Sequence, residues 1–179
     1  MRIETQNVVI RTLEKKDAKR FYSIARESAV YRYMPDWADG RAHPKDYYGL
    51  IDQYQKQSDN TDISIGRSYA IALPNTDEMI GSIGVGLKEK LNEIELGYFM
   101  SEKHQRNGYT REAISALAEW CFEVSDVKYL ILTINCANVP SNKLAEKCGF
   151  KLLEKRTPIR DNQFYMENDS YFYYRSYRK

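Results

Sequence analysis

The sequence predicts an α/β domain (α+β under a stricter label), with a mixed, mostly antiparallel sheet of about six or seven strands flanked by about four helices. Three observations carry this. Short β-rich segments occur near the start, in the middle and at the end of the chain. Two stretches show the one-sided apolar period of amphipathic helices. A βαβα segment is bracketed by further strands, so the sheet must be mixed.

In chain order, Val8 to Leu13 is short and rich in β-branched residues. Asp17 is placed to cap a helix running to about Glu27, with Ala18, Phe21, Tyr22 and Ala25 on one face. Tyr31–Gly40 contains Tyr33, Pro35, Trp37 and Gly40 and reads as an aromatic loop. Pro44 opens a second helix that ends before the polar cluster at residues 58–62. Three strands, Ser68–Leu73, Met79–Leu87 and Glu93–Met100, then form an antiparallel meander. A helix from about Gly108 to Phe122 carries Ile114, Leu117, Ala118, Cys121 and Phe122 as its apolar stripe. Lys128–Cys136 holds a continuous apolar run, the pattern of a strand covered on both faces. A short helix, Pro140–Lys147, stops at Gly149, which suits a left-handed cap. Lys151–Lys155 and Tyr171–Tyr177 close the sheet. With no repeat, linker or low-complexity tract, residues 1–179 read as a single domain.

Composition removes several classes. The 179 residues are 42% hydrophobic and 29% charged, enough to bury one core. Lys plus Arg number 27 against 25 for Asp plus Glu, a net charge of +2, without the basic excess of a general nucleic-acid binder. The tyrosine-rich end, Tyr171–Lys179, fits a sheet-covering strand better than an RNA-stacking platform. No apolar run approaches the roughly 20 residues of a membrane helix, and the first residues lack a signal-peptide pattern. Cys121, Cys136 and Cys148 are widely spaced, and the histidines are His43 and His104 alone, so reduced thiols fit better than a disulfide scaffold or a zinc site. A cytoplasmic, metal-free protein is expected, with no membrane partner and no direct nucleic-acid contact. The Asn168–Ser170 sequon carries no weight without a secretion signal.

The informative segment runs from Glu93 to Glu112, a strand feeding a short turn that opens into a helix. The turn's only glycine, Gly108, stands at the helix start, where free N–H groups and the positive dipole end converge. Arg106 and Arg111 add charge, so the residues support either a phosphate site or a plain basic turn. No GK[ST] follows, which excludes a nucleotide P-loop. Gly81, Gly84 and Gly86 lead into a hairpin rather than a helix and read as bulge or close-packing glycines, not a dinucleotide fingerprint. His104 reads as a solvated turn residue, and Cys136 and Cys148 as packing groups.

Gln105-Arg106-Asn107-Gly108-Tyr109-Thr110 resembles the Q/R-x-x-G-x-G/A signature of the GCN5-related N-acetyltransferase (GNAT) superfamily. Val9–Leu13 with Asp17-Ala18 resembles the opening strand and helix of its ribosomal-protein-alanine/serine N-terminal acetyltransferase branch. Met79–Gly84 resembles the third strand, and Glu95-Leu96-Gly97-Tyr98 the E-I-G-Y strand. Asn138-Val139-Pro140-Ser141, ending in Gly149-Phe150, resembles the N-x-x-S…G-F motif. The likeness covers about residues 8 to 155, with a weaker echo at Asp169 and Tyr173.

The resemblance implies a GNAT-like sheet with a V-shaped splay between two parallel strands, and acetyl transfer from acetyl-CoA, as co-substrate, to a primary amine. Backbone atoms of Tyr98, Phe99 and Met100 would pair with the pantetheine arm. Residues Gln105, Arg106, Asn107, Gly108, Tyr109, Thr110 and Arg111 would cradle the pyrophosphate. Asn138 would bond the arm from across the cleft, and Ser141 would sit near the thioester sulfur as a candidate proton donor. Two departures stand out: Thr110 replaces the usual Gly or Ala and crowds that approach, and Ala145 occupies the position where many relatives place a tyrosine acid.

The reaction needs a base for an ammonium. An α-amine, with a reference pKa of about 7.7–8.0, gives up its proton more readily than a lysine near 10.4. Glu95 and Glu93 share one strand face, and the resemblance points to Glu95 as the base. An N–H of Phe99 or Met100 is placed to polarise the thioester carbonyl. Tyr33 and Trp37, with Asp36 and Asp39 nearby, are the candidate binding residues for a cationic acceptor. The expected acceptor is a protein N-terminal α-amine of the ribosomal-protein type. The alternatives are a small amine (polyamine, amino sugar or antibiotic) or a non-catalytic acyl-CoA-binding module. Specificity is expected in the loop at 31–40, the second helix and the hairpin near 160–170. A homodimer is compatible with the sequence, which does not fix the oligomeric state.

Overall fold

The computed structural model describes residues 1–157 and 170–178; the proposed specificity hairpin near 160–170 and the sequon at Asn168 lie outside the described residues. Among them, strands occur at β1 (Arg2–Glu4), β2 (Val9–Thr12), β3 (Arg67–Ala72), β4 (Met79–Lys88), β5 (Glu93–Met100), β6 (Tyr129–Asn135), β7 (Lys151–Arg156) and β8 (Tyr171–Tyr177). The α-helices are α1 (Ala18–Ala25), α2 (Ser28–Tyr31), α3 (Tyr48–Lys56), α4 (Tyr109–Val124) and α5 (Val139–Lys147). The strands form one sheet in the order β1-β2-β3-β4-β5-β6-β8-β7. Every pairing is antiparallel except β5 with β6, which is parallel. The fold is the mixed α/β class the sequence predicts, with one more strand than the upper estimate and a fifth, one-turn helix.

The apolar periods explain the layering. Ala113, Ile114, Leu117, Ala118 and Cys121 of α4, with Ala145 of α5, pack onto Ile10, Ile71, Leu96, Leu130 and Leu132 on one face of the sheet. Phe21, Ile24 and Ala25 of α1 and Ile51 of α3 pack onto Ala70, Met79 and Phe99 on the other. Each leucine, isoleucine, methionine or phenylalanine so buried contributes about 1.5–3 kcal/mol, each alanine correspondingly less. The buried tyrosines of β8, Tyr171 and Tyr173, cover Ile131 of β6 on this second face, the sheet-covering role expected of them.

Three differences from the sequence reading have local causes. β1 was not foreseen because Arg2-Ile3-Glu4 is too short and polar to show a period, and its pairing with β2 forms it. The first helix stops at Ala25, because Glu27 is extended (φ −60°, ψ 137°) and serves as the N-cap residue of α2. The aromatic loop is partly helical, with Tyr31 ending α2 and Pro35–Trp37 forming a 3-10 turn.

A buried ion group fastens the start of α1 to the sheet. Arg11 donates to both carboxylate oxygens of Asp17, at 2.7 and 2.9 Å, and its Nε donates to Asp77 in the β3–β4 turn at 2.6 Å. Arg11 and Asp17 are both buried, so each needs the other to offset the loss of water.

Candidate active site

The parallel seam between β5 and β6 is held at one register pair, Glu95 with Ile131. Beyond it the two strands diverge, and a cavity of about 1190 Å³ opens between them. Its base includes Glu95, Gly97 and Tyr98 of β5 and Thr133, Ile134 and Asn135 of β6; Asn138 and Ser141 line its α5 side. Its roof is the segment from Tyr31 to Trp37 with Asp39 and Arg41. Tyr33 straps the mouth: its hydroxyl donates to the Ala137 carbonyl at 3.2 Å, across from its own loop.

β5 leads through residues 101–108 into α4, whose N-terminus therefore lies at the far end of this strand. Two left-handed residues shape the approach, Arg106 (φ +65°) and Gly108 (φ +83°), the latter being the N-cap residue of α4. Glycine takes such a φ at little cost, whereas the strain at Arg106 must be held by neighbours. Gln105 donates to the Met100 carbonyl at 3.1 Å, and Asn107 donates to the carbonyls of His104 and Gln105 at 3.3 and 3.1 Å. Glu27 receives the Ser101 hydroxyl at 2.8 Å, and Glu102 receives the Ser28 hydroxyl and the Ala29 amide at 2.9 and 2.8 Å. The break between α1 and α2 thus fixes the turn before α4. Glu112, in the first turn of α4, receives Thr5 at 2.8 Å and Asn7 at 3.0 and 2.6 Å. Arg106, Asn107, Gly108 and Arg111 are exposed, with Tyr109 and Thr110 half-buried at the helix start. Gln105 and Asn107 thus brace the turn, a job the sequence reading did not give them.

Glu95 lines the cavity but is engaged. Lys88 Nζ donates to its Oε2 at 2.8 Å and its Oε1 at 3.0 Å, and the Thr133 hydroxyl donates to Oε1. Lys88 also donates to Thr133 at 2.9 Å. Lys88 was missed as a site residue, although the β4–β5 hairpin register, Gly86 with Glu95 and Lys88 with Glu93, puts it diagonal to Glu95 on one face. Glu93 shares that face, as expected, but belongs to a different network, receiving Tyr129 at 2.9 Å, Tyr173 at 2.5 Å and Arg175 at 2.8 Å. Burial works against its ionisation, yet these bonds outweigh it and hold Glu93 below the usual glutamate range.

Asn138 is the N-cap residue of α5, its side-chain oxygen accepting the Ser141 amide at 3.3 Å. The Ser141 carbonyl receives the Tyr98 hydroxyl at 3.4 Å, which ties β5 to α5 under the cavity. Burial pushes that tyrosine hydroxyl far above its ordinary range, so Tyr98 stays protonated. Phe99 turns the other way, its ring 5.2 Å from Phe21 and 5.9 Å from Trp37. Trp37 is thereby as much a core residue as a wall residue. The Tyr47 hydroxyl bonds its carbonyl, and Phe21 lies 5.3 Å away.

The roof also holds a half-buried acid, Asp36. Oδ2 of Asp36 is sealed from solvent and has no hydrogen-bond partner among the described residues. Burial, then the charge of Asp39, push its carboxyl above the usual aspartate range. The Asp36 main chain is meanwhile held, its carbonyl receiving Arg41 at 2.7 Å.

The remaining candidates stay outside the site. Cβ atoms built on Gly81, Gly84 and Gly86 would meet neighbouring backbone at 2.5, 2.6 and 2.8 Å, so all three serve strand packing, as expected. His104 sits half-buried with Nδ1 unpaired among the described residues, and burial, then Lys103, lower its pKa. Cys121, Cys136 and Cys148 form no disulfide among the described residues. No helix among the described residues is long and apolar enough to cross a membrane.

A single-pair parallel seam that opens into a cavity, with a helix N-terminus at the end of one strand, is the arrangement that the resemblance to acyl-CoA-dependent acyltransferases leads one to expect. The family description "Acetyltransferase (GNAT) domain" matches residues 7–151, and the chain belongs to this family. It is an acetyl-CoA-dependent acetyltransferase. It is 26% identical over 151 residues to an uncharacterized N-acetyltransferase, YnaD, of Bacillus subtilis, covering 84% of this chain and 83% of that one. Over 77 residues (42% of this chain, 43% of the other) it is 32% identical to the ribosomal-protein-serine acetyltransferase of Escherichia coli. Among solved structures, a ribosomal-protein alpha-N-acetyltransferase in complex with coenzyme A superposes with a TM-score of 0.79 at 14% identity, covering 99% of this chain and 98% of that one.

Proposed function

We propose that this enzyme acetylates a protein N-terminal α-amine from within the cavity between β5 and β6. The observation that carries this reading is the single-pair seam at Glu95 and Ile131, which opens the sheet where an acetyl thioester can lie between two strands. In this reading the amides from Arg106 to Arg111 hold the diphosphate of acetyl-CoA, and the Tyr98–Met100 backbone pairs with its pantetheine arm. Asn138 and Ser141 line the other wall, with Ser141 nearest the sulfur. The fit is supported by the left-handed residues Arg106 and Gly108 at the start of α4, where anionic groups are favoured. Thr110, the second residue of α4, takes the place of the smaller signature residue and offers a hydroxyl donor.

The acceptor enters from the roof side as an ammonium. Asp36 attracts it, and Tyr33 and Trp37 supply aromatic faces for it. Glu95 takes its proton, directly or through water, with Lys88 and Thr133 keeping that carboxylate in place. The amine nitrogen attacks the thioester carbonyl, with an N–H of Phe99 or Met100 polarising that carbonyl. The C–N bond forms as the C–S bond breaks, and the departing thiolate takes the proton that the nitrogen sheds, either directly or through Ser141, whose hydroxyl gives one proton to sulfur and regains one from nitrogen. A cytoplasmic setting suits this reading, with cysteines that form no disulfide among the described residues and bacterial relatives.

An acceptor screen read by free-thiol release tests it, using N-terminal peptides, polyamines and amino sugars with acetyl-CoA. Peptides should give the highest kcat/KM. Turnover of polyamines or amino sugars with no peptide activity would overturn the N-terminal assignment.

A further inference from the structure

Gly97 is bare for a different reason from the glycines opposite it. It pairs directly with Gly84 across the β4–β5 ladder. A Cβ on Gly84 would strike the Arg67 carbonyl of β3 at 2.6 Å, so glycine there serves strand packing. A Cβ on Gly97 would meet nothing within 4 Å, and its backbone lies outside the left-handed region. Packing and conformation therefore both permit a side chain at Gly97, and an exposed strand position ordinarily prefers one.

What lies over Gly97 is the acceptor side of the cavity. Its strand neighbours Leu96 and Tyr98 point to the α4 face, whereas Phe99 points with Gly97 toward α1 and α3. Gly97 also borders a second cavity of about 400 Å³ that shares Trp37, Tyr54, Lys88 and Glu95 with the first and continues to Gly66. The two form a trench along the sheet, with Gly97 on the floor of both.

We infer that Gly97 determines acceptor specificity: the residue bearing the reacting α-amine lays its side chain across this position, and the peptide runs on through the trench. A compact amine would need only the space at the seam. This rests on the reading that the cavity performs acetyl transfer to an α-amine, and it adds where the acceptor's bulk goes.

The test compares wild type with Gly97→Ala and Gly97→Val. Both variants should stay folded, since a Cβ at this position meets nothing within 4 Å and the backbone lies outside the left-handed region; melting temperatures recorded alongside check this for the larger valine. Calorimetric affinity for acetyl-CoA should hold within about threefold, while KM for a hexapeptide with a free N-terminus rises by about tenfold or more in Gly97→Val. The loss of kcat/KM with ethylamine should be at least about fivefold smaller than the loss with the hexapeptide, and Gly97→Ala should fall between wild type and Gly97→Val. A conjugate joining CoA to that hexapeptide through an acetyl bridge should bind wild type more tightly than CoA does, and Gly97→Val should erase the difference. An unchanged peptide KM, an equal loss with ethylamine, or a conjugate no tighter than CoA in wild type would each overturn the inference. Loss of acetyl-CoA binding by the wild-type protein would instead overturn the underlying reading of the cavity.

Discussion

Replacing Gly108 with valine isolates the role of the α4 start. A Cβ built there meets nothing within 4 Å, so the cost is backbone strain at φ +83°, not collision. An L residue held left-handed costs about 1–2 kcal/mol, and a β-branched one is stiffer still. At about 2–4 °C per kcal/mol for a chain of this length, the melting temperature should fall by about 2–8 °C, leaving a folded protein. Where the turn escapes strain by relaxing to negative φ, the amides at the helix start rotate away from the diphosphate. Losing one charge-assisted hydrogen bond costs about 1.5–3 kcal/mol. That corresponds to an increase in acetyl-CoA Kd of roughly ten- to hundredfold. Calorimetry measures it directly. A truncated donor, the acetyl thioester of N-acetylcysteamine, keeps the thioester and lacks the diphosphate, so wild type and variant should use it equally well. Gly108→Asn should lie between them, because asparagine tolerates this conformation better. An unchanged Kd in a folded Gly108→Val protein refutes the diphosphate assignment, and an equal loss with the truncated donor points to the chemistry instead.

Glu95→Gln should lower kcat by roughly 10²–10⁴-fold with acetyl-CoA affinity intact, as expected for a proton acceptor; wild-type turnover would reduce Glu95 to a partner for Lys88. Asp36→Asn should raise the acceptor KM and, at neutral pH, raise the melting temperature. Asp36 has a folded pKa above its unfolded one, so its ionisation costs stability as pH rises, and the amide removes that cost. A variant that is no more stable and binds acceptor normally would show Asp36 to be incidental. Glu112→Gln should flatten the acid side of the melting temperature against pH. Burial raises that carboxyl, but the bonds from Asn7 and Thr5 outweigh it and hold it low. Its contribution is therefore full at neutral pH and lost on acidification through and below the glutamate range, and parallel wild-type and Gln curves would show that it contributes nothing.

The fold was legible wherever a long element carried its own period. The stripe of α4 and the unbroken apolar run of β6 announced a helix and a strand covered on both faces, and both came within two residues of their observed ends. β1 escaped because three residues carry no period, and the stop at Ala25 escaped because it depends on partners far away in sequence. Glu27 leaves the helix to receive the Ser101 hydroxyl, 74 positions along the chain, and a one-dimensional pattern has no access to such a bond.

The site divides along the same line. Gly108 could be read from the sequence because a lone glycine between a strand and an amphipathic helix has a local reason to be there, and its left-handed φ supplies that reason. Lys88 was within reach, since a hairpin register assigns diagonal neighbours once both strands are placed, and a charge two positions from the directly paired residue belongs to the same face. Asp36 and Gly97 could not be ranked, because what distinguishes them is what does not touch them. One has an oxygen that no described group satisfies; the other has a position that no neighbouring atom fills. A sequence records which residues are present, while the acceptor site proposed for this chain is made of a group left unpaired and space left open. Both properties are costs to the folded chain, an ionisable group kept from water and a strand position without a side chain to pack. Such costs, borne where packing does not require them, are the mark of a surface shaped for a second molecule.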